Sequence, residues 1–131
     1  MAVTVHREPN QVKWIGVRPG HNGEQVINYA TATNAVVDIY EVPADKLLLI
    51  FGYFLNAYGG AAGEGMLDLY TAVPAFWKRL FWTGVHVNND LAVSRNYTIP
   101  IEVPAGYFVS VESSIAACVI KAGFDGILID V

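Results

Sequence analysis

The tetrapeptide Glu-Val-Pro-Ala occurs twice in this chain, and each copy lies between two stretches that have the composition of β-strands. Proline presets φ at the second position of a turn, and Asp or Gly tolerates the left-handed conformation that often follows. We therefore predict two structural turns, one at Pro43 and Asp45 and the other at Pro104 and Gly106. Two turns of the same chemistry indicate a sheet protein folded from two similar halves.

The composition also favours sheet. The chain has 49 β-branched or aromatic residues, which fit a pleated surface, but only 27 of the long unbranched types that favour helices. From residue 36 onward, strand-like stretches recur at the spacing of a sandwich or barrel. About eight such stretches can be counted, and none is clearly helical. We therefore predict an all-β fold, an antiparallel β-sandwich of the jelly-roll type.

The chain divides into two predicted regions. Residues 1–35 are polar and rich in turn residues, with short strand candidates at 12–17 and 25–30. We interpret them as an extended N-terminal arm that either covers a sheet edge of its own domain or reaches a neighbour. Residues 36–131 form the predicted jelly-roll sandwich.

The stretch at residues 46–58 is apolar on both faces, whereas an antiparallel strand normally exposes one face to solvent. Strict alternation puts Leu48, Ile50 and Phe54 on one face. It puts five apolar residues on the other face: Leu47, Leu49, Phe51, Tyr53 and Leu55. Either the arm or another subunit must then cover the second face.

Charge and hydropathy bear on partners. Hydrophobic residues make up 53% of the chain and charged residues 15%, against a usual charged fraction of about 25%. This balance indicates one of two arrangements. Either the protein has a large core and an apolar exposed surface or, as we favour, much of its surface is buried against other copies in a homo-oligomer. The net charge is −4 and no basic patch occurs, which argues against nucleic-acid binding. The longest apolar stretch is too short for a membrane helix, so we expect no membrane partner.

Motifs for chemistry are scarce. The three histidines, His6, His21 and His86, have no second ligand at metal-binding spacing, so we predict no metal site. No nucleophile elbow or phosphate loop occurs, and the carboxylates lie on separate predicted strands. Cys118 lies in an apolar stretch and is expected to be a small core residue. We predict no catalytic residues, no cofactor and no enzymatic activity.

The aromatic residues leave three alternatives open: core, interface anchors, or a platform on which sugar rings stack. Residues 76–82 are predicted to form a strand, with a helix as the alternative. Arg79 lies between Trp77 and Phe81, and Trp, Tyr and Arg concentrate at interfaces. Our interface candidates are Trp14, Trp77, Arg79, Phe81 and Trp82.

The chain resembles the small jelly-roll structural proteins of tailed-phage virions, in particular capsid decoration (cement) proteins. The residues that carry the resemblance are Ile-Tyr-Glu-Val-Pro-Ala-Asp-Lys-Leu at 39–47, Tyr-Thr-Ile-Pro-Ile-Glu-Val-Pro-Ala-Gly-Tyr at 97–107 and Gly-Ile-Leu-Ile at 126–129. The match spans residues 36–131, and Asp45 stands where that pattern usually has glycine. Its motifs are turn chemistry and therefore describe architecture better than role.

The resemblance implies a non-enzymatic protein that forms trimers or other small oligomers and binds the major capsid protein or other virion subunits. It would be made in the host cytoplasm and act on the capsid surface. Two alternatives remain: a carbohydrate-binding sandwich, which needs exposed aromatics flanked by Asp, Asn or Gln, and a tail or baseplate component of the same fold.

Overall fold

The computed structural model describes residues 23–131, with the side chain of Asn89 excepted. The described part of the chain consists of antiparallel strands joined by turns and contains no helix. The strands are β1 (Glu24–Thr33), β2 (Val36–Glu41), β3 (Lys46–Gly59), β4 (Gly63–Tyr70), β5 (Phe76–Val85), β6 (Asn89–Val103), β7 (Phe108–Ser113) and β8 (Cys118–Asp130).

The strands form two four-stranded sheets, with the orders β1-β8-β3-β6 and β2-β7-β4-β5. The first four strands therefore pair with the last four in reverse order: β1 with β8, β2 with β7, β3 with β6 and β4 with β5. A chain folded back on itself in this way and rolled into two packed sheets is a jelly roll. The predicted all-β sandwich of about eight strands is confirmed.

The two Glu-Val-Pro-Ala copies meet at one corner of the sandwich. The chain passes from one sheet to the other between β2 and β3, and again between β6 and β7. Because β2 pairs with β7 and β3 with β6, both passages lie side by side. The Val42 N–H donates to the Tyr107 carbonyl at 2.9 Å, and the Gly106 N–H donates to the Val42 carbonyl at 2.8 Å. The two copies of the tetrapeptide therefore form adjacent bends of one two-stranded ribbon, with one copy on each strand.

The left-handed residues of both turns stand at the third position. Asp45 has φ of 60° and Gly106 has φ of 79°. The Lys46 N–H donates to the Pro43 carbonyl at 3.3 Å, and the Tyr107 N–H donates to the Pro104 carbonyl at 3.2 Å. Each proline thus occupies the first position of its turn rather than the second, where its carbonyl closes the turn and its missing N–H is not needed.

Strand β1 lies at the edge of its sheet and pairs with β8 over its full length, from Glu24 opposite Leu128 to Thr33 opposite Val119. These residues fall within the predicted arm, and the pairing corresponds to the alternative in which the arm covers a sheet edge of its own domain. The other strand candidate, at residues 12–17, lies outside the described residues. A truncation that is meant to leave both sheets intact should therefore end at residue 22.

The core lies between the two sheets, and a bulge in β3 decides which of its side chains reach it. The register shifts between Ile50 and Gly52 against both neighbouring strands. Leu48 and Ile50 therefore face the core, and beyond the bulge Tyr53 and Leu55 face it as well. The faces predicted by strict alternation are wrong beyond Phe51, because the bulge adds one residue and reverses every later side chain.

The same irregularity affects β6, the opposite edge strand of this sheet. Its pairing with β3 passes from Ile101 directly to Asn96, so the intervening residues lie outside the regular register. Pro100 is buried and Ile99 is 61% exposed. A regular strand that points Ile101 and Val103 inwards would also point Ile99 inwards and Pro100 outwards, so the irregularity reverses both side chains. An edge position still suits a proline, which cannot donate to the ladder.

Candidate interaction surface

Strand β5 carries four of the five interface candidates, and two bulges determine their directions. The register of β5 against β4 shifts between Phe76 and Lys78 and again between Arg79 and Phe81. The predicted strand is confirmed, but its simple alternation is not. Trp77 and Phe81 are partly buried against the core, whereas Arg79 and Trp82 are on the outer face. Trp14 lies outside the described residues.

The two inward aromatic residues close the rim of the core. The Trp77 ring meets the Tyr107 ring edge-on, with centroids 5.1 Å apart, and Lys78 Nζ lies 4.6 Å from the Trp77 ring centroid. The Phe81 ring packs against the Tyr53 ring at 5.9 Å. In the single chain these two side chains therefore stabilise the sandwich.

A charged pair lies at the centre of the outer face. Arg79 Nε donates to Asp68 Oδ1 at 2.8 Å, and Arg79 Nη2 donates to Asp68 Oδ2 at 3.1 Å, so the pair is bidentate. Asp68 is only 1% exposed, whereas the Arg79 side chain is 42% exposed. The hydrogen bonds to Asp68 raise the pKa of the Arg79 guanidinium. The guanidinium thus covers the carboxylate and still presents its other side to solvent.

Aromatic side chains surround this pair. Phe76 is 56% exposed and Trp82 is 51% exposed. The Phe76 ring meets the Tyr70 ring edge-on at 6.3 Å, and the Arg79 guanidinium carbon lies 5.3 Å from the Phe76 centroid. Burial raises the pKa of the Tyr70 hydroxyl, with nearby Asp68 a smaller cause. We call Asp68, Tyr70, Phe76, Arg79 and Trp82 the aromatic face.

The aromatic face continues across the sheet towards β2. Ser110 is 1% exposed, and its hydroxyl donates to Asp38 Oδ1 at 2.8 Å. A small cavity of about 220 Å³ adjoins this bond and is bounded by Val36, Asp38, Tyr70, Pro74 and Phe108. The outer surface of this sheet therefore combines aromatic bulk with a few fixed polar groups, as the cores of protein interfaces do.

The outer face of the other sheet has a depression of about 450 Å³. Tyr58, which is 51% exposed, lines it together with Asn56, Asp90 and Lys121. Lys121 Nζ also lies 4.5 Å from the Tyr29 ring centroid. Three different strands supply these residues, through the pairs Tyr58 with Asp90 and Asn56 with Lys121. Sequence reasoning could not find this grouping, because it depends on strand register.

Residues 23–131 contain no group of three or more His, Cys, Asp or Glu side chains placed to hold a metal ion. Within the same range, no helix is long and apolar enough to cross a bilayer. Cys118 is fully buried in the core, as predicted, and its thiol contacts the Ala61 carbonyl at 3.2 Å.

Comparison with models of known protein families finds no match to this chain, and comparison with curated proteins finds none either. The features that bear on function are therefore the turn residues, the jelly-roll topology and the two outer faces.

Removal of the Arg79 side chain should reveal how much the buried carboxylate depends on it. We expect Arg79→Met to reduce the free energy of unfolding by about 2 kcal/mol, because the buried carboxyl group of Asp68 would lose both of its hydrogen bonds to Arg79. The exposure of Arg79 limits the loss. Urea denaturation would measure it. The double variant Asp68→Leu/Arg79→Met should recover most of the loss, and a double variant as unstable as the single one would contradict this account.

Proposed function

We propose that the protein is a non-enzymatic structural component of a virion, of the capsid decoration type, which self-associates and binds the capsid shell. The observation that carries the proposal is the aromatic face. It places two half-exposed aromatic rings, Phe76 and Trp82, around the fixed guanidinium of Arg79. Buried Trp, Tyr and Arg side chains supply most of the binding energy at protein interfaces.

The low charge of the chain supports the same proposal. With 15% charged residues, the outer surface has few groups that would favour solvent over a neighbouring subunit. Exposed apolar side chains are also found elsewhere on the described surface, such as Val73 at 81% and Ile99 at 61%. Covering such side chains stabilises an assembly by roughly 25 cal/mol per Å² of apolar area. This free energy of apolar burial would stabilise both self-association and attachment to a shell.

The fold is compatible with the proposal but does not select it. Jelly rolls serve as capsid domains, as lectins and as cupins. Cupin-type chemistry needs a cluster of metal ligands, and residues 23–131 show none. Assembly and sugar binding are the two roles that the outer faces support, and they would use different faces of this sandwich.

Sedimentation velocity over a wide concentration range tests the assembly proposal. We expect the protein to sediment as a trimer or other small oligomer, and we expect Trp82→Ala to weaken self-association or shell binding by ~30-fold or more. Tyr58→Ala is a matched control, because Tyr58 is equally exposed but lies on the opposite sheet. A protein that remains monomeric at high concentration and does not bind shells would exclude the proposal.

A second candidate function, carbohydrate binding, is favoured by the depression around Tyr58. An exposed ring beside an amide, a carboxylate and an ammonium group can stack on a sugar and hydrogen-bond its hydroxyls. A glycan array, followed by fluorescence titration with any oligosaccharide that binds, tests it. Here the roles of the variants are exchanged: Tyr58→Ala should abolish binding, and Trp82→Ala should leave it unchanged.

A further inference from the structure

A second hydrophobic cluster lies on the outer face of the sheet β1-β8-β3-β6, away from the core. Leu49, Ile127 and Ile129 form it, with Leu47 and Phe51 packed against them; we call these five residues the outer cluster. Leu49 is 0% exposed, and Ile127 and Ile129 are 8% and 3% exposed. Side chains on the outer face of a two-layer sandwich should be partly solvated, so their burial needs an explanation.

The described part of the chain does not explain why these side chains are buried. Among residues 23–131, the apolar side chains that pack on the three buried residues are Leu47 and Phe51, which belong to the same face of the same sheet. Side chains of one face stand roughly parallel to each other, and a full covering layer packs about 10 Å above a sheet. Neighbours within the sheet therefore cannot close over Leu49, and a further segment must lie on top.

The position of Gly23 indicates which segment that is. A Cβ atom on Gly23 would lie 2.3 Å from Ile127 Cγ2 and 3.3 Å from Ile129 Cγ2. The backbone therefore runs directly against the outer cluster at the point where β1 begins. The 22 residues that precede Gly23 start from this position.

We propose that residues 12–17 of the same chain lie across the outer cluster and cover it. This segment reads Val-Lys-Trp-Ile-Gly-Val, carries four apolar side chains including the tryptophan, and lies closer to Gly23 than the other apolar stretch, at residues 1–5. The six backbone steps from residue 17 to residue 23 can span up to ~20 Å, which exceeds the ~13 Å from Leu47 to Phe51 along β3. Trp14 on this account fills a site within its own chain and is not an anchor for a partner.

Charge complementarity supports the proposal. Residues 1–22 carry three basic side chains and one acidic one, whereas residues 23–131 carry five basic and eleven acidic. Asp125 lies on the same face of β8 as Ile127 and Ile129, and it is exposed. A basic segment is therefore drawn towards an acidic domain. The inference does not depend on the proposed virion function.

Disulfide trapping in the full-length chain tests the proposal. In a Cys118→Ser background, Ile129→Cys is combined with either Trp14→Cys or Ile15→Cys, because adjacent residues of an extended segment point in opposite directions. Under mild oxidation, we expect one of the two pairs to form an intramolecular disulfide in most molecules. Replacing Ile129→Cys by Tyr58→Cys, at the far end of the same sheet face, should reduce the yield at least tenfold.

Each alternative occupant gives a different result. If mixed single-cysteine chains yield a disulfide-linked dimer, a neighbouring copy covers the outer cluster and the proposal is overturned. If neither pair forms a disulfide, it is overturned as well. An independent readout uses the full chain without added cysteines: Trp14→Ser/Ile15→Ser should raise the fluorescence of a hydrophobic dye at least threefold over Lys13→Ser. Equal fluorescence would also contradict the proposal.

Discussion

Phe124→Ala should reduce the free energy of unfolding by about 3–5 kcal/mol. Phe124 is 1% exposed and is the largest fully buried side chain of the sandwich. Its ring lies in the core and meets the Tyr40 ring edge-on, with centroids 5.6 Å apart. Because Tyr40 belongs to the opposite sheet, truncation removes a contact that joins the two layers and leaves a cavity that rigid strands cannot fill. Urea denaturation followed by tryptophan fluorescence measures the loss.

The chain contains a matched control for this substitution. Phe76→Ala makes the same chemical change on the aromatic face, where the ring is 56% exposed. We expect it to cost less than about 1 kcal/mol, since most of the ring is already solvated. Equal losses for Phe124→Ala and Phe76→Ala would mean that the two sheets are not packed as described.

Gly123→Ala, one residue away, should be destabilising for the opposite reason. A Cβ atom at this position would lie 2.4 Å from the Asn28 carbonyl oxygen, 2.8 Å from Tyr29 Cβ and 2.6 Å from Phe54 Cε1. The first two atoms are fixed to the backbone of β1, so β1 would have to move away from β8. We expect a loss of about 3 kcal/mol, at the upper end of what overpacking costs.

Hydrogen exchange can locate this damage as well as measure it. The amides of β1 should exchange faster in Gly123→Ala, whereas those of the other sheet should change little. Gly84→Ala is the control, because the nearest atom to a Cβ there, apart from the adjoining residues, would be Trp82 Cη2 at 3.9 Å. If both alanine variants unfold at the same urea concentration, then β1 does not pack against β8 at Gly123.

The two outer faces separate the functional alternatives. The aromatic face on β4 and β5 offers rings and a guanidinium, which suit a protein partner, whereas the depression at Tyr58 offers a ring with hydrogen-bonding groups, which suit a sugar. Fold alone does not choose between them, because function depends on sites carried by a fold. Trp82→Ala and Tyr58→Ala form a reciprocal pair, so one set of two variants decides between assembly and carbohydrate binding.

The interface candidates show where sequence reasoning stops. It identified residues 76–82 as a strand rich in anchors, and β5 forms there. It could not separate Trp77 and Phe81, which pack against the core, from Arg79 and Trp82, which face outwards. Two bulges make this separation, and bulges arise from how one strand fits its neighbour rather than from a local residue signal. The partner of Arg79, the buried Asp68, is likewise visible only once β4 and β5 are paired.

The sequence by itself determined the sheet class, the approximate strand count and the two bends at Pro43 and Pro104, because β-propensity and turn chemistry are local properties. Only the tertiary structure decided that the two bends adjoin, that residues 24–33 form an edge strand and that Tyr53 faces inwards beyond the bulge in β3. Strand pairing joins residues as far apart as Glu24 and Leu128. Such pairings depend on the whole chain, and a one-residue shift reverses the face of every side chain that follows.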